Sequence, residues 1–187
     1  MRIVGGRHRG RALRVPSGVA LRPTADRVRE AVFNILKHGP DWAGVADAAV
    51  LDLFAGTGAY GLEALSRGAR HVTFVDQHPA AVAGIKAALA TLGEGHRSTV
   101  LRMDAARLPE PPPAVVVPAD LAFLDPPYGS DTALPALTGI LARGWTAPGA
   151  LVVLEVGARE RFHEPPGARI VDQRVYGAAR VIFLRPG

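Results

Sequence analysis

The chain contains no cysteine, which excludes disulfides, thiol nucleophiles and cysteine-ligated zinc. Lysine is nearly missing: only Lys37 and Lys86 occur, against 20 arginines. Long apolar runs are absent too. No segment approaches the ~18 consecutive apolar residues of a membrane helix. The opening Met1-Arg2-Ile3-Val4-Gly5-Gly6 lacks the apolar core of a secretory signal. A cytoplasmic location without membrane contact is the expectation. The six histidines, at 8, 38, 71, 78, 96 and 163, show no close ligand spacing, so no metal is expected.

What is present is the make-up of a globular protein. A length of 187 residues suffices for one domain with a sizeable core. The net charge of +5 is placed unevenly. Residues 1–40 hold nine basic side chains (Arg2, Arg7, Arg9, Arg11, Arg14, Arg22, Arg27, Arg29, Lys37) against Asp26 and Glu30. The rest of the chain is slightly acidic. Base composition can explain arginine over lysine, but it does not explain the position of the excess. A polyanion-binding segment on a near-neutral body is the expectation.

Residues 2–4 and 12–15 read as two short strands around a glycine-rich hairpin that projects Arg7, His8, Arg9 and Arg11, side chains suited to phosphate. A disordered basic arm is the alternative. Leu21-Arg22-Pro23-Thr24 leads into a helix with Thr24 as N-cap. Val28, Val32, Ile35 and Leu36 share one face of it, and Gly39-Pro40 ends it. Residues 1–40 are thus expected to form an extension and residues 41–187 the main domain. From residue 50 strand and helix alternate: strands at 50–54, 71–76, 99–103, 121–124 and 150–156, helices at 59–67, 79–92 and 134–143. The pattern predicts an α/β fold with a mostly parallel sheet covered on both faces. Two last strands, 169–175 and 180–184, predict an antiparallel hairpin at its edge. The proline-rich stretch 109–118 is expected to be a stiff surface loop.

The predicted strand 121–124 runs into Asp125-Pro126-Pro127-Tyr128. Ligands of open α/β sheets bind at the carboxyl ends of strands, and two successive prolines stiffen the turn. The turn offers two acceptors, the Asp125 carboxylate and the Pro126 carbonyl, beside the flat Tyr128 ring. A planar group with an exocyclic amine suits that arrangement. An ordinary strand-ending turn is the plainer alternative. Upstream, Gly56, Gly58 and Gly61 match G-x-G-x-x-G after a predicted strand, and Asp76 follows Gly56 by 20 residues at the end of the next strand. This is the dinucleotide-type fingerprint, with Asp76 placed to accept from a ribose diol. Any adenosine-bearing ligand could use it. Asp52, four residues before Gly56, would oppose a pyrophosphate but tolerates a sulfonium bearing an amino group. Asp104, ending the third strand, suits an adenine amine. Both favour S-adenosylmethionine over NAD.

The loop LDLFAGTG, the acid of VDQHP, then MDA and DPPY, in this order, resemble a class I S-adenosylmethionine-dependent methyltransferase of the amino-methylating kind. The segments MRIVGGRHRGRAL, from Met1, and LRPTADRVREAVFNIL, ending at Leu36, resemble the bacterial RsmD family, which methylates a guanine N2 in small-subunit (16S) ribosomal RNA. The resemblance implies a Rossmann-like, seven-stranded methyltransferase sheet with a small N-terminal β-hairpin and helix extension. It implies cofactor contacts from Asp52, Phe54, Ala55, Gly56, Thr57 and Gly58, with Asp76 on the ribose and Asp104 and Ala105 at the adenine. Thr24 and Arg27 are candidates for the methionine end. Asp125, Pro126 and Tyr128 would be catalytic, Pro127 and Tyr128 would border the base, and Arg7, Arg9 and Arg11 would hold RNA. An adenine-N6 DNA methyltransferase, a non-catalytic ribosome-assembly factor and a nicotinamide oxidoreductase are the rival readings. The first shares the D-P-P-Y chemistry but finds no long target-recognition insertion here. The last leaves D-P-P-Y unexplained.

Overall fold

The computed structural model describes residues 1–13, 25–39, 42 and 44–187. Thr24, expected as a cap and a cofactor contact, lies outside the described residues, as do Arg14 and Arg22. Among the described residues a seven-stranded sheet runs in the order β3-β2-β1-β4-β5-β7-β6. Its strands are β1 (Ala49–Leu53), β2 (His71–Asp76), β3 (Ser98–Arg102), β4 (Ala119–Leu124), β5 (Thr146–Gly157), β6 (Ala168–Tyr176) and β7 (Ala179–Pro186). The first five pair in parallel, and β7 pairs antiparallel with both β5 and β6. The helices are α1 (Ala25–His38), α2 (Ala59–Ser66), α3 (Pro79–Leu92) and α4 (Ala133–Ala142). No helix among the described residues is long and apolar enough to cross a membrane.

Both sheet faces are buried, which is why the central strands read as apolar runs rather than alternations. Val50, Val72, Phe74, Leu121, Phe123, Leu151 and Val153 pack on one face against α1, α2 and α3. Leu51, Leu53, Val75, Ala122, Leu124, Val152 and Leu154 pack on the other against α4 and the residues after β3. The 109–118 loop is less superficial than expected. Its prolines are exposed or half-buried, but Val115 is buried in the α4-side cluster, and the Pro109 carbonyl accepts from the buried Trp145 indole at 2.8 Å. A buried indole N–H needs such a partner.

Helix α1 buries Val28, Arg29, Val32, Phe33 and Leu36, while Ile35 is half-buried. The inward stripe is therefore turned slightly from the expected one, because Phe33 stacks into a ring group with Tyr60 and Phe123, at centroid distances of 6.3 and 5.4 Å. Tyr60 and Phe123 lie 4.8 Å apart.

The N-terminal hairpin is docked and shows a single antiparallel bridge, Arg2 to Ala12, among the described residues; residues 14–15 of the expected second strand lie outside them. Glu63 on α2, fully buried, explains the docking. Its carboxylate accepts from the Val4 and Gly5 backbone N–H groups at 2.8 and 2.7 Å. It also pairs with Arg67 at 2.8 Å and Arg29 at 3.7 Å. Gly6 sits at φ 73°, and a Cβ there would stand 2.0 Å from the Ser66 carbonyl oxygen, so only glycine permits this approach. The buried Glu94 receives Arg7, His8 and Arg97. Arg7 is thus already paired on the protein, whereas Arg9 and Arg11 stay exposed.

Glu63→Ala should strand the Val4 and Gly5 N–H groups and leave the buried Arg29 with Asp26 as its one carboxylate partner among the described residues, at a cost of about 3–5 kcal/mol. A fall in Tm of roughly 10 °C is expected for a chain of this size, with faster tryptic cleavage after Arg7, Arg9 and Arg11. An unchanged melting curve and cleavage pattern would remove Glu63 as the anchor.

Candidate active site

Side chains two apart on a strand share a face. Asp52 follows Val50, Asp76 follows Phe74, Asp125 follows Phe123 and Glu155 follows Val153, each by two residues, so four carboxylates share the α2-side face at the carboxyl edge. Asp104 joins them beyond β3. The strand order reverses between β1 and β4, and a crevice opens at such a switch point. A cavity of about 810 Å³ occupies it, lined by Asp52, Phe54, Ala55, Gly56, Thr57, Asp76, Asp104, Ala105, Asp125, Pro126, Pro127, Tyr128 and Glu155, among others. The glycine loop and the D-P-P-Y turn, 69 residues apart from Gly56 to Asp125 in sequence, face one space.

The glycine loop is held by the acids it precedes or follows. Strand β1 ends at Leu53, one residue earlier than expected, because Phe54 adopts φ 56°. The Gly56 N–H donates to Asp76 Oδ2 at 2.8 Å, and the His78 N–H to Oδ1 at 2.8 Å. Each Asp76 oxygen keeps a lone pair for a further donor. Gly58, expected beneath the ligand, is not part of the cavity lining. It caps α2 at φ 75°, and its missing Cβ would meet Ile85, Leu62 and Phe74. A Cβ on Gly61 would stand 2.2 Å from the Phe74 ring. These two glycines let α2 lie close on β2, and Gly56 alone of the three borders the cavity.

Asp52 is buried and accepts from the Gly61 N–H at 2.8 Å. Burial pushes its carboxyl well above the ordinary aspartate value; the Gly61 hydrogen bond opposes this, and the charges of Asp125 and Asp76 add to the rise. Asp104 Oδ1 accepts from the Ala106 N–H at 2.9 Å, capping a short 3-10 turn, Ala105–Arg107.

The turn after β4 is held from the side. Leu53 and Leu154 both register with Leu124, so Asp125 and Glu155 stand at matching positions on neighbouring strands. The Tyr128 hydroxyl donates to Glu155 Oε1 at 2.6 Å, and the Tyr60 hydroxyl to Oε2 at 3.1 Å. Burial first, then the negative Glu155 and Asp125, raise the Tyr60 phenol well above its ordinary value, so Tyr60 stays a donor. Glu155 therefore fixes the Tyr128 ring, which is 37 % exposed at the cavity edge. Sequence reading missed Glu155 and Tyr60. The available signal for Glu155 was a lone acid inside the apolar run LVVLEV.

Arg27 is exposed on α1 and is not among the cavity-lining residues, whereas Arg29, two positions on, is buried and does line the cavity. Arg29 Nη2 donates to the Arg2 carbonyl at 2.7 Å, and Nη1 pairs with Asp26 at 3.1 Å. Helical spacing puts only one of the two arginines on the inward face.

Asp52 generates a prediction about pH. Its native pKa lies above the unfolded one, so the native state holds a proton the unfolded chain has lost. Its contribution is favourable at low pH and declines as pH rises above about 4, the unfolded range. Asp52→Asn keeps an acceptor for Gly61 and cannot ionise. The Tm of this variant should gain on the wild type as pH increases from 4 towards 8. Parallel Tm–pH curves would refute the raised pKa.

The family model described as Conserved hypothetical protein 95 matches residues 1–185. The chain is 38% identical over 155 residues to Ribosomal RNA small subunit methyltransferase D of Escherichia coli, covering 83% of this chain and 74% of the relative. Among solved structures, Escherichia coli yhhF superposes with a TM-score of 0.81 at 33% identity, over 100% of this chain and 97% of that one. The ribosomal protein L11 methylase of Lactobacillus delbrueckii subsp. bulgaricus superposes at 0.67 with 12% identity, over 93% and 84% of the two chains, a likeness of fold. The sheet order, the glycine loop and these likenesses together place the chain in the family described as Conserved hypothetical protein 95, the RsmD family.

Proposed function

We propose that this protein transfers a methyl group from S-adenosylmethionine to the exocyclic N2 of a guanine in small-subunit (16S) ribosomal RNA, in the cytoplasm. One observation carries the reading. The D-P-P-Y turn and the glycine loop open into one cavity, with the Tyr128 ring pinned at its edge. The Escherichia coli relative's name, Ribosomal RNA small subunit methyltransferase D, supports the substrate class.

The residues fit the cofactor. The spare acceptor capacity of Asp76 suits two ribose hydroxyls, and Asp104 suits an adenine amine. When bound, S-adenosylmethionine supplies an electrophilic methyl on its sulfonium. The chain's own groups do the rest. A guanine N2 is a poor nucleophile because its lone pair is delocalised into the ring. Asp125 and the Pro126 carbonyl accept its two N–H bonds and turn the nitrogen toward tetrahedral geometry. Acceptors strengthen their hold as the amine gains positive charge, which favours the transition state over the ground state; the surplus proton then leaves to Asp125 or to water. Tyr128 stacks on the base, worth roughly 1–3 kcal/mol, after the base has left its own stack. Arg9 and Arg11 contact RNA from the hairpin; Arg7 does so while sharing its charge with Glu94.

Labelled S-adenosylmethionine incubated with small subunits from cells lacking the enzyme should yield N2-methylguanosine after digestion. Asp125→Ala should give no label, while S-adenosylhomocysteine still raises its Tm. N6-methyladenine from duplex DNA run in parallel would overturn the substrate, and no label anywhere would favour an assembly factor. Tyr128→Phe and Glu155→Gln should each lower kcat/KM on subunits, and the double variant should be no worse than the poorer single. A coupling energy of about 1 kcal/mol or more is expected for groups in direct contact. Additive losses would show that Glu155 does not act through Tyr128.

A further inference from the structure

The turn that follows β5 carries Arg159, Glu160 and Arg161, three residues outside the cavity lining. It abuts the D-P-P-Y turn. Glu160 Oε2 accepts from the N–H of Gly129, the residue after Tyr128, and from the N–H of Gly157, each at 3.2 Å. A Cβ on Gly157 would stand 3.8 Å from Tyr128 Cγ. The other side of the turn is braced by the β6–β7 connection. The Ala158 N–H donates to the Ala178 carbonyl at 2.8 Å, and Arg180 Nη2 donates to the Glu160 carbonyl. The turn is therefore a rigid platform beside the stacking ring.

Its charge is unbalanced. The Glu160 carboxylate is engaged with two backbone donors rather than with either neighbouring arginine, and the three side chains together leave a net positive charge. Arg159 and Arg161 are exposed, and neither has an ion pair or a side-chain hydrogen bond among the described residues. Two guanidiniums without a side-chain partner, held on a fixed turn that abuts the D-P-P-Y turn, are an arrangement suited to anion binding.

We infer that Arg159 and Arg161 grip the phosphates flanking the target nucleotide once its base lies against Tyr128. This rests on the RNA-methylating reading and extends it to a second contact surface. The two basic surfaces differ in position. Gly5, Gly6 and His8 of the hairpin dock on the last turn of α2, whereas the first turn of α2 borders the cavity. An eight-residue helix separates them by about 12 Å. Met1 at the start of the hairpin lines the cavity, but Arg9 and Arg11 do not; they contact RNA on a surface other than that of the Arg159–Arg161 turn.

The test is subunit binding by the full chain, measured without turnover across a salt series in the presence of S-adenosylhomocysteine. Replacing both residues, Arg159→Ala with Arg161→Ala, should make the log–log salt slope shallower by about 1.4–1.8, the loss of two phosphate contacts. The apparent KM for subunits should rise in step. Arg159→Lys with Arg161→Lys should recover most of the slope, because a point charge still holds a phosphate. S-adenosylhomocysteine should raise the Tm of every variant as it does the wild type, which establishes that the cavity is intact. An unchanged slope and KM in the alanine pair would overturn the inference. A wild-type chain that binds subunits but transfers no label would instead overturn the methylation reading, and the slope comparison would still decide this contact.

Discussion

Crowded negative charge at one sheet edge is the constraint on which the rest of this structure depends. Parallel strands with period-2 alternation bring Asp52, Asp76, Asp125 and Glu155 to the same face and the same end. Like charges so close, partly withdrawn from water, are costly unless each is answered. The answers are local and distinct. Asp76 takes the backbone N–H groups of Gly56 and His78, Asp104 takes that of Ala106, and Glu155 takes two phenols. Asp52 has Gly61 and keeps its proton more readily than an ordinary aspartate. The shape of the glycine loop is therefore a consequence of the acids. The loop curls so that its N–H groups reach them. A cationic ligand with hydroxyl and amine donors would complete the compensation that the fold begins, whereas a pyrophosphate would worsen it.

The N-terminal extension follows the same logic with the signs mixed. Its excess of arginine suggests a free basic arm, but two buried acids on the body, Glu63 and Glu94, claim part of that charge. Arg29 is wholly internal and ties α1, the start of the hairpin at Arg2 and α2 together. On the hairpin loop, Arg9 and Arg11 remain outward without a carboxylate partner among the described residues. The charge count of a segment is thus an upper bound on the charge it presents, because buried carboxylates elsewhere in the chain subtract from it.

Elements governed by short-range pattern were legible in the sequence. Helix α3 spans 79–92 and β2 spans 71–76, as apolar periodicity and the closing Gly93 and Asp76 indicate. The D-P-P-Y turn and Asp76 were placed at strand ends by the same reasoning. What was not legible required a partner distant in sequence. Glu155 becomes notable only once β5 lies beside β4 in register, which brings it next to Asp125 and beneath Tyr128. The inward turn of Phe33 on α1 depends on rings at 60 and 123. Gly58 and Gly61 match a ligand-binding pattern, yet their Cβ positions point into Ile85 and Phe74, so the pattern preserves helix–strand packing as much as it does the approach of a ligand.

Dimensions link these features to the size of the substrate. Helix α2 runs from the cavity at its amino end to the docked hairpin at its carboxyl end, about 12 Å away. Neither Arg9 nor Arg11 lines the cavity. A short single strand could follow one surface, but the hairpin and the Arg159–Arg161 turn stand on different elements, α2 and the end of β5. Contacting both while one base leaves its stack calls for a partner that presents phosphates on more than one path, as a folded RNA held in a particle does. The body itself offers few other contacts for reading sequence, since its central strands are buried on both faces. On the proposed reading, selection of the target then rests on shape: the base that is methylated is the one the folded RNA can deliver to Tyr128 while its backbone meets the basic surfaces.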